Sequence, residues 1–309
     1  SDESEPGTCK DRVILSNNPH QVIEGIAIAC YTVGATVGYN YFRGEYVEPF
    51  DICEKALKEA YEAGYLGQYI FGSGTNIDIF NVKSAGAYIC GEETGLMNAL
   101  EGKRAWPRYK PPFPAHYGLY GKPTNINNTE TLASVPVILA KGGEWFSEIG
   151  VPKSGGTKIF SVSGHVNNPG NFEVPLGTPF KELLAMAGGV WKDRKLKAVI
   201  PGGSSMPILP AEKIMDINMD YDSVMKAGSM LGSGAVVVMD ETTCMVSMCA
   251  RIAKFYMHES CGQCTPCREG TGWMYQILQR VLKGEAGLAD LDRLGKVAKS
   301  IEGKTICAF

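Results

Sequence analysis

The sequence predicts an α/β protein with three parts: a three-layer α/β domain at residues 1–152, a small β-grasp domain at 153–240 and a helical bundle at 241–309. Three observations lead to this prediction. Helical and strand-like patterns alternate through the first half of the chain. A glycine-rich linker near residue 153 precedes a hairpin, a helix and further strands. From Glu241 onward the apolar residues follow a helical period only.

In the first domain, residues 25–42 carry no charge. The apolar period changes partway, so we predict a buried helix at 22–33 leading into a strand at 35–42 rather than a membrane span. An amphipathic helix follows Pro49 and ends near Gly64. Further strands are predicted at 77–82 and 87–90. Strands separated by helices indicate a mostly parallel sheet, which binds ligands at the carboxyl ends of its strands.

In the second domain, we predict a strand at 158–164, a tight turn at 167–170, a helix at 178–186 and strands at 198–200 and 235–239. The turn at 201–205 could be a phosphate-binding nest, but we favour a plain turn between strands. In the third domain, three apolar stripes at helical spacing predict three core-facing helices.

Four cysteines carry the strongest chemical signal: Cys261, Cys264 and Cys267, followed at a distance by Cys307. The C-x2-C-x2-C spacing favours a [4Fe–4S] cluster. Zinc is the main alternative, although its structural sites usually pair two short knuckles and a second one is absent here. Disulfide-prone surface thiols are a third interpretation. We expect packing roles for the remaining cysteines, which are Cys9, Cys30, Cys53, Cys90, Cys244 and Cys249.

Glu92 and Glu93 lie where a strand is predicted to meet a helix. They could simply complement the helix dipole. A functional role is favoured by the proline- and aromatic-rich run at 107–123 and the amides that follow it, which suit a flat heteroaromatic ligand. The alternative is a plain crossing loop that ends in a helix N-cap at Asn128 or Thr129.

Composition excludes several classes of protein. A net charge of −3 gives no basic footprint for nucleic acid. The acidic first residues do not form a signal peptide, and the cysteine pattern predicts a reducing compartment. We expect no direct membrane insertion.

Three stretches resemble the flavin-bearing, NADH-oxidising 51-kDa (NuoF-type) subunit family of respiratory complex I: GAYICGEET at 86–94, KPPFP at 110–114 and ESCGQCTPCREG at 259–270. The acidic run DESEPG at 2–7 resembles the family's nucleotide-site motif. The resemblance implies FMN, NADH as substrate and one [4Fe–4S] cluster, on a Rossmann-like domain, a ubiquitin-like domain and a four-helix bundle.

Site residues follow from this resemblance by position. The residues implied for FMN are Asp2, Glu3, Gly91, Glu92, Asn127, Asn128 and Thr131. Those implied for NADH are Glu5, Tyr88, Glu93 and Phe113, with Phe113 placed to stack on an aromatic ring. The cluster ligands are Cys261, Cys264, Cys267 and Cys307. The family's glycine-rich flavin loop would precede Ser1, and the family continues past Cys307, so we expect an incomplete chain.

The implied activity is hydride transfer from NADH to FMN, followed by one-electron transfer through the cluster towards quinone. The implied partners are a 24-kDa-type [2Fe–2S] subunit and a 75-kDa-type iron–sulfur subunit. The expected location is the cytoplasmic side of a bacterial inner membrane, or else the matrix side of the mitochondrial one. Two alternatives remain: the flavin subunit of an NAD-linked hydrogenase or formate dehydrogenase, and a non-enzymatic, cluster-stabilised scaffold.

Overall fold

The computed structural model describes residues 1–308 as a mixed α/β fold. Its α-helices are α1 (Lys10–Asn17), α2 (Pro19–Val33), α3 (Val47–Glu62), α4 (Glu93–Leu100), α5 (Thr129–Lys141), α6 (Gly143–Glu148), α7 (Phe180–Met186), α8 (Ala211–Ile214), α9 (Tyr221–Lys226), α10 (Met245–Glu259), α11 (Thr265–Leu282) and α12 (Leu288–Ile301). Its strands are β1 (Val37–Phe42), β2 (Asp78–Lys83), β3 (Gly150–Val151), β4 (Ser154–Gly155), β5 (Thr157–Gly164), β6 (Gly170–Pro175), β7 (Leu196–Ile200), β8 (Leu209–Pro210) and β9 (Ala235–Asp240). Within residues 1–308 no helix is both long enough and apolar enough to cross a bilayer.

The chain groups into two compact units. The first unit contains residues 1–86 and 127–241, and the second contains residues 87–126 and 242–308. The division into domains at 152 and 240 therefore stays a prediction.

The first unit has two apolar cores. In one, α1, α2 and α3 pack with the parallel pair β1–β2, in which Val37 lies opposite Asp78. Helix α2 also packs against α5, and only glycine fits at position 25, because a Cβ there would lie 1.9 Å from the carbonyl oxygen of Leu132. The predicted helix at 22–33 and the predicted strands at 35–42 and 77–82 are confirmed within a few residues at their ends.

The other core of the first unit lies on a five-stranded sheet with the order β6-β5-β9-β7-β8. Strands β5 and β9 run parallel, while the other neighbours are antiparallel. Phe160, Phe180 and Leu183 are completely buried between the sheet and α7. The strands and the helix predicted between residues 158 and 239 are confirmed.

In the second unit, α10, α11 and α12 form the three predicted core-facing helices, which share a small core around Ala250, Ala253 and Leu278. The strand predicted at 87–90 is wrong. The segment Tyr88–Gly91 is a turn of 3₁₀ helix, closed by hydrogen bonds from Cys90 N to Ala87 O and from Glu92 N to Ile89 O, each 3.0 Å long. Consecutive residues Tyr88, Ile89 and Cys90 are all buried, so a short apolar run here did not mean a strand.

Candidate functional site

The cysteine loop lies between α10 and α11 in the second unit. Cys264 is the N-cap of α11, Pro266 is at the second position of that helix, and Cys267 lies in its first turn. Gly262 has a φ of +78°, a conformation that favours glycine and lets the loop reverse between Cys261 and Cys264. This local geometry follows directly from the sequence of the loop.

All four predicted cluster ligands are cysteines of intermediate exposure outside any disulfide. The amide N–H of Ile306 donates to Cys264 Sγ over 3.4 Å, so the segment carrying Cys307 contacts the loop. Ser260 Oγ lies 3.2 Å from Cys267 Sγ. Among residues 1–308, no three His, Cys, Asp or Glu side chains lie close enough together to hold a single metal ion.

The donor set fits a thiolate-ligated iron–sulfur cluster. Hydrogen bonds to sulfur are part of how proteins hold and tune such clusters, and the segment that carries Cys307 already supplies one from Ile306 to Cys264. The side-chain oxygen of Gln263 is buried without a hydrogen-bond partner within residues 1–308. A half-turn of the Gln263 amide about its terminal bond would present its N–H there instead, as a donor for a sulfur-rich group.

The segment at 101–126 is fixed to this loop by Trp106, whose indole Nε1 donates to the carbonyl oxygen of Cys261 over 3.0 Å. Arg108 holds the same segment together: its guanidinium lies 2.9 Å from Glu101 Oε1 and donates to the carbonyl oxygen of Gly118. Burial alone would raise the pKa of Glu101, but hydrogen bonds from Lys103 and Arg108 outweigh it and lower this pKa to about 2. The ion pair between Arg108 and Glu101 therefore fixes the proline-rich run, in addition to the restraint that its prolines place on the backbone.

Glu92 and Glu93 begin α4, as the sequence predicts. Glu92 is the N-cap, and its Oε2 accepts from Thr94 N at 2.9 Å and from Gly95 N at 2.8 Å. Lys110 Nζ lies 3.4 Å from Glu92 Oε1 and also donates to Glu93. The predicted position of the two carboxylates at a helix N-terminus is therefore confirmed, and Glu92 in addition caps that helix. Sequence reasoning missed Lys110 as the counter-charge, although it begins the KPPFP motif.

A cavity of about 590 Å³ opens beside these residues in the second unit. Glu92, Glu93 and Lys110 line it together with Cys307. This volume is within the range of small-molecule and cofactor sites. Its charged wall and its neighbouring thiol suit a redox-active ligand with polar groups.

Tyr88 and Phe113 differ in exposure. Tyr88 is only 7% exposed and packs edge-on against Phe255 and Tyr256, while its amide N–H donates to Glu259 Oε2 over 3.0 Å. Phe113 is 55% exposed, so its ring can stack on a ligand. The backbone of Gly91 also lines the 590 Å³ cavity.

The other predicted flavin residues lie in the first unit. Both carboxylate oxygens of Glu3 accept from Asp11 N, at 3.0 and 3.1 Å, and Tyr46 OH donates to Glu3 over 2.7 Å. The Glu3 carboxylate thus accepts from N–H groups in the first turn of α1, and burial raises the pKa of Glu3. Burial also raises the pKa of Asp2, whose carboxylate accepts from Ser4 Oγ at 2.6 Å.

Asn128 is the N-cap of α5, which confirms the capping prediction. Its Oδ1 accepts from Glu130 N at 2.9 Å and from Lys10 Nζ at 3.1 Å, and its Nδ2 donates to Asp11 over 2.8 Å. The whole side-chain amide is therefore engaged inside the protein. Thr131 is exposed in the first turn of α5, and Asn127 immediately precedes the cap.

Lys10 is the second residue that sequence reasoning missed. Its ammonium is almost completely buried, 2.6 Å from Asp11 and 3.1 Å from Glu130. Burial favours the neutral amine, but Asp11 and Glu130 outweigh it and raise the pKa of Lys10. Lys10 begins α1 and is followed by two further charged residues, so the sequence gave no sign that its side chain is buried.

Glu5 also lies in the first unit, where its carboxylate accepts from Ser205 N over 2.8 Å. The predicted FMN and NADH residues are thus distributed over both units, whereas all four cysteines belong to the second.

Comparison with known proteins adds three matches to family models. The Nuo51 FMN-binding domain matches residues 1–137, the NADH-ubiquinone oxidoreductase-F iron–sulfur binding region matches 247–309, and the SLBB domain matches 159–209. Together they cover most of the chain.

Among curated relatives, the NADH-quinone oxidoreductase F-subunit of Rickettsia bellii is 54% identical over 313 residues, covering 100% of this chain and 75% of that protein. The Rickettsia felis protein of the same name is 54% identical and is covered to 74%. A crystal structure of NAD+-reducing [NiFe]-hydrogenase in the H2-reduced state superposes with a TM-score of 0.91 at 34% identity, over 99% of this chain and 51% of that one. The chain thus spans about half the length of the hydrogenase chain.

Proposed function

This chain belongs to the F-subunit family of NADH-quinone oxidoreductases, and we propose that it oxidises NADH with FMN and delivers the electrons through a [4Fe–4S] cluster towards quinone. One structural observation supports this most directly. Glu92 and Glu93, which the family resemblance assigns to FMN and NADH, line the same cavity as the cluster ligand Cys307.

When bound, FMN would supply hydride acceptance and single-electron return, and the cluster would supply one-electron transfer. The protein holds and orients these groups and sets the electrostatic charge around them. The exposed ring of Phe113 offers a stacking surface for a nucleotide base. Such stacking places the donor near its acceptor and supplies effective concentration.

For FMN we propose two kinds of contribution. Asp2, Gly91, Glu92, Asn127 and Thr131 are direct candidates. The side chains of Glu3 and Asn128 are already engaged, so we assign them to the positioning of α1 and α5. In the NADH site, Glu5, Glu93 and Phe113 are direct candidates, while the buried Tyr88 positions its segment against α10.

The net negative charge at the site is smaller than Glu92 and Glu93 alone would give. Lys110 contacts both carboxylates, so the three side chains together carry one negative charge when ionised. A residual negative charge disfavours the anionic form of a reduced flavin and favours release of its electrons.

The finer architecture is part of the proposal. We propose a Rossmann-like domain, a ubiquitin-like domain at the SLBB match and a cluster-binding helical bundle. The chain works as one subunit of a multi-subunit respiratory complex, and we propose the 24-kDa-type [2Fe–2S] and 75-kDa-type iron–sulfur subunits as its neighbours, on the cytoplasmic side of a bacterial inner membrane. An NAD-linked hydrogenase is disfavoured because the Rickettsia relatives are more similar, at 54% against 34% identity.

Anaerobic titration of the complete purified protein with NADH tests this function. We expect the visible absorption of bound flavin to bleach and a cluster signal to develop in electron paramagnetic resonance, in that order. NADPH at the same concentration is the control for nucleotide identity. A preparation that contains flavin and iron but shows neither change with NADH would contradict the proposal.

A further inference from the structure

The carboxylate of Glu5 is held by a turn that lies 200 residues away in the sequence. Ser205 N donates to Glu5 Oε1 over 2.8 Å, and the Ser205 hydroxyl donates to the same oxygen. Both residues belong to the first unit. Within residues 1–308 no hydrogen bond reaches Oε2, so one oxygen of the carboxylate is fixed and the other is available.

Gly203 makes room for this arrangement. Its φ is +99°, and a Cβ built on it would lie 2.5 to 2.8 Å from the carboxylate atoms of Glu5. Real Cβ atoms do not approach other atoms so closely, so a side chain at position 203 would push the Glu5 carboxylate, the far end of a flexible side chain, out of its present place. We call Gly203 and Ser205 the carboxylate seat.

The carboxylate seat is hydrogen-bonded to the five-stranded sheet. Gly203 N donates to the carbonyl oxygen of Ala235 at 2.8 Å, and Met206 N donates to Gly203 O at 2.9 Å. Ala235 begins β9, a central strand of the five-stranded sheet, and is completely buried. Glu5 is thus oriented by the rigid part of the unit, although it lies in a segment without regular structure.

A turn that offers an N–H and a hydroxyl is suited to an anion. The anion it holds here is a carboxylate of the chain itself, which leaves no place for a free phosphate. A fixed carboxylate with one unused oxygen is, in turn, an acceptor for sugar hydroxyls, which is how acidic residues recognise the ribose of dinucleotides.

We propose that Ser205 and Gly203 are positioning residues for NADH: they orient Glu5 so that Oε2 accepts a ribose hydroxyl of the nucleotide. The proposal rests on the proposed function, which assigns Glu5 to NADH. It adds Gly203 and Ser205, which lie within the segment that matches the SLBB domain, to the residues that serve the nucleotide site. In this proposal the turn at 201–205 binds the carboxylate of Glu5 instead of a phosphate.

The test compares steady-state kinetics of NADH oxidation in the complete protein carrying Ser205→Ala, Gly203→Ala or Glu5→Gln. Ser205→Ala removes one of the two donors and Gly203→Ala displaces the carboxylate. We expect KM for NADH to rise several-fold in both, more for Gly203→Ala, with kcat and the FMN and iron contents unchanged. Ser205→Ala added to Glu5→Gln should cause no further rise, because the seat acts only through Glu5.

Gly228→Ala is the matched control. Gly228 has a similar φ of +93°, but a Cβ there meets nothing within 4 Å. It therefore reports the backbone strain without the contact to Glu5. If KM for NADH in Ser205→Ala and Gly203→Ala stays equal to that in Gly228→Ala while Glu5→Gln raises it, the seat is overturned and the NADH assignment of Glu5 survives. If Glu5→Gln itself leaves KM unchanged, the assignment of Glu5 in the proposed function fails.

Discussion

The ammonium of Lys110 lies 3.4 Å from Glu92 Oε1, and the same ammonium donates to Glu93. Two carboxylates and one ammonium therefore share a wall of the 590 Å³ cavity. The balance between them decides the sign of the electrostatic effect on a bound flavin, so each partner can be tested by removing its charge alone.

We expect Glu92→Gln to raise the flavin midpoint potential and Lys110→Met to lower it. A charge about 4 Å away at an effective dielectric near 20 acts with roughly 4 kcal/mol. The opposite charge beside it reduces this, so we expect a shift on the order of 30 mV, or about 1.4 kcal/mol for a two-electron couple. Redox titration of the complete protein measures it, with the exposed Glu302→Gln as the control. Unchanged potentials in both variants would place the flavin away from this wall.

Phe113→Ala tests the nucleotide stacking surface. Base–aromatic stacking is typically worth about 1–3 kcal/mol, so KM for NADH should rise about tenfold while FMN occupancy stays near normal. Tyr117→Ala is a matched control, because Tyr117 lies in the same segment and is 58% exposed against 55% for Phe113. Loss of flavin with a steady KM would mean that Phe113 contacts the flavin instead.

The cysteine assignment predicts about four iron and four acid-labile sulfide per chain, with a reducible paramagnetic signal. Replacing Cys264 or Cys307 by serine should lower both contents and change or abolish the signal. Cys244→Ser is the control, since Cys244 belongs to the same unit and is exposed. The packing role expected for Cys244, and likewise for the exposed Cys9 and Cys249, is wrong, whereas Cys30, Cys53 and Cys90 are buried as expected. Stoichiometric zinc without iron in the unaltered protein would refute the cluster.

Lys10→Met tests the buried charge network of the first unit. The change leaves Asp11 and Glu130 without their nearest shared cation, and breaking a buried pair typically costs about 3–5 kcal/mol. We expect a fall in melting temperature of roughly 6 °C or more. Lys55→Met is the control: its contact with Glu59 is exposed and 3.9 Å long, and such pairs are worth about 0–1 kcal/mol. Equal melting temperatures for the two variants would contradict the role of Lys10.

The parts of the fold and site that depend on neighbours in sequence could be predicted. Stripes of apolar residues predicted α10, α11 and α12, and the capping role of Asn128 followed from its position before a helix. The cysteine spacing likewise singled out one loop, whose chemistry is local.

Contacts between distant positions could not be predicted in the same way. The pairing of Lys110 with Glu93 spans 17 residues, which include α4 and an irregular segment, and that of Ser205 with Glu5 spans 200. Only the fold brings these groups together. The 3₁₀ turn at Tyr88 shows the same limit, because its shape depends on packing against Phe255 and Tyr256 rather than on its own apolar run.

The hydrogen bond from Trp106 to the carbonyl oxygen of Cys261 has a practical consequence. It places an indole beside the cysteine loop, and iron–sulfur clusters absorb where indoles emit. We therefore expect a bound cluster to quench the emission of Trp106, one of four tryptophans in the chain, so that this emission rises when the cluster is lost. Because Arg108 and Phe113 follow on the same segment, we expect the same emission to change when the stretch proposed to meet the nucleotide moves.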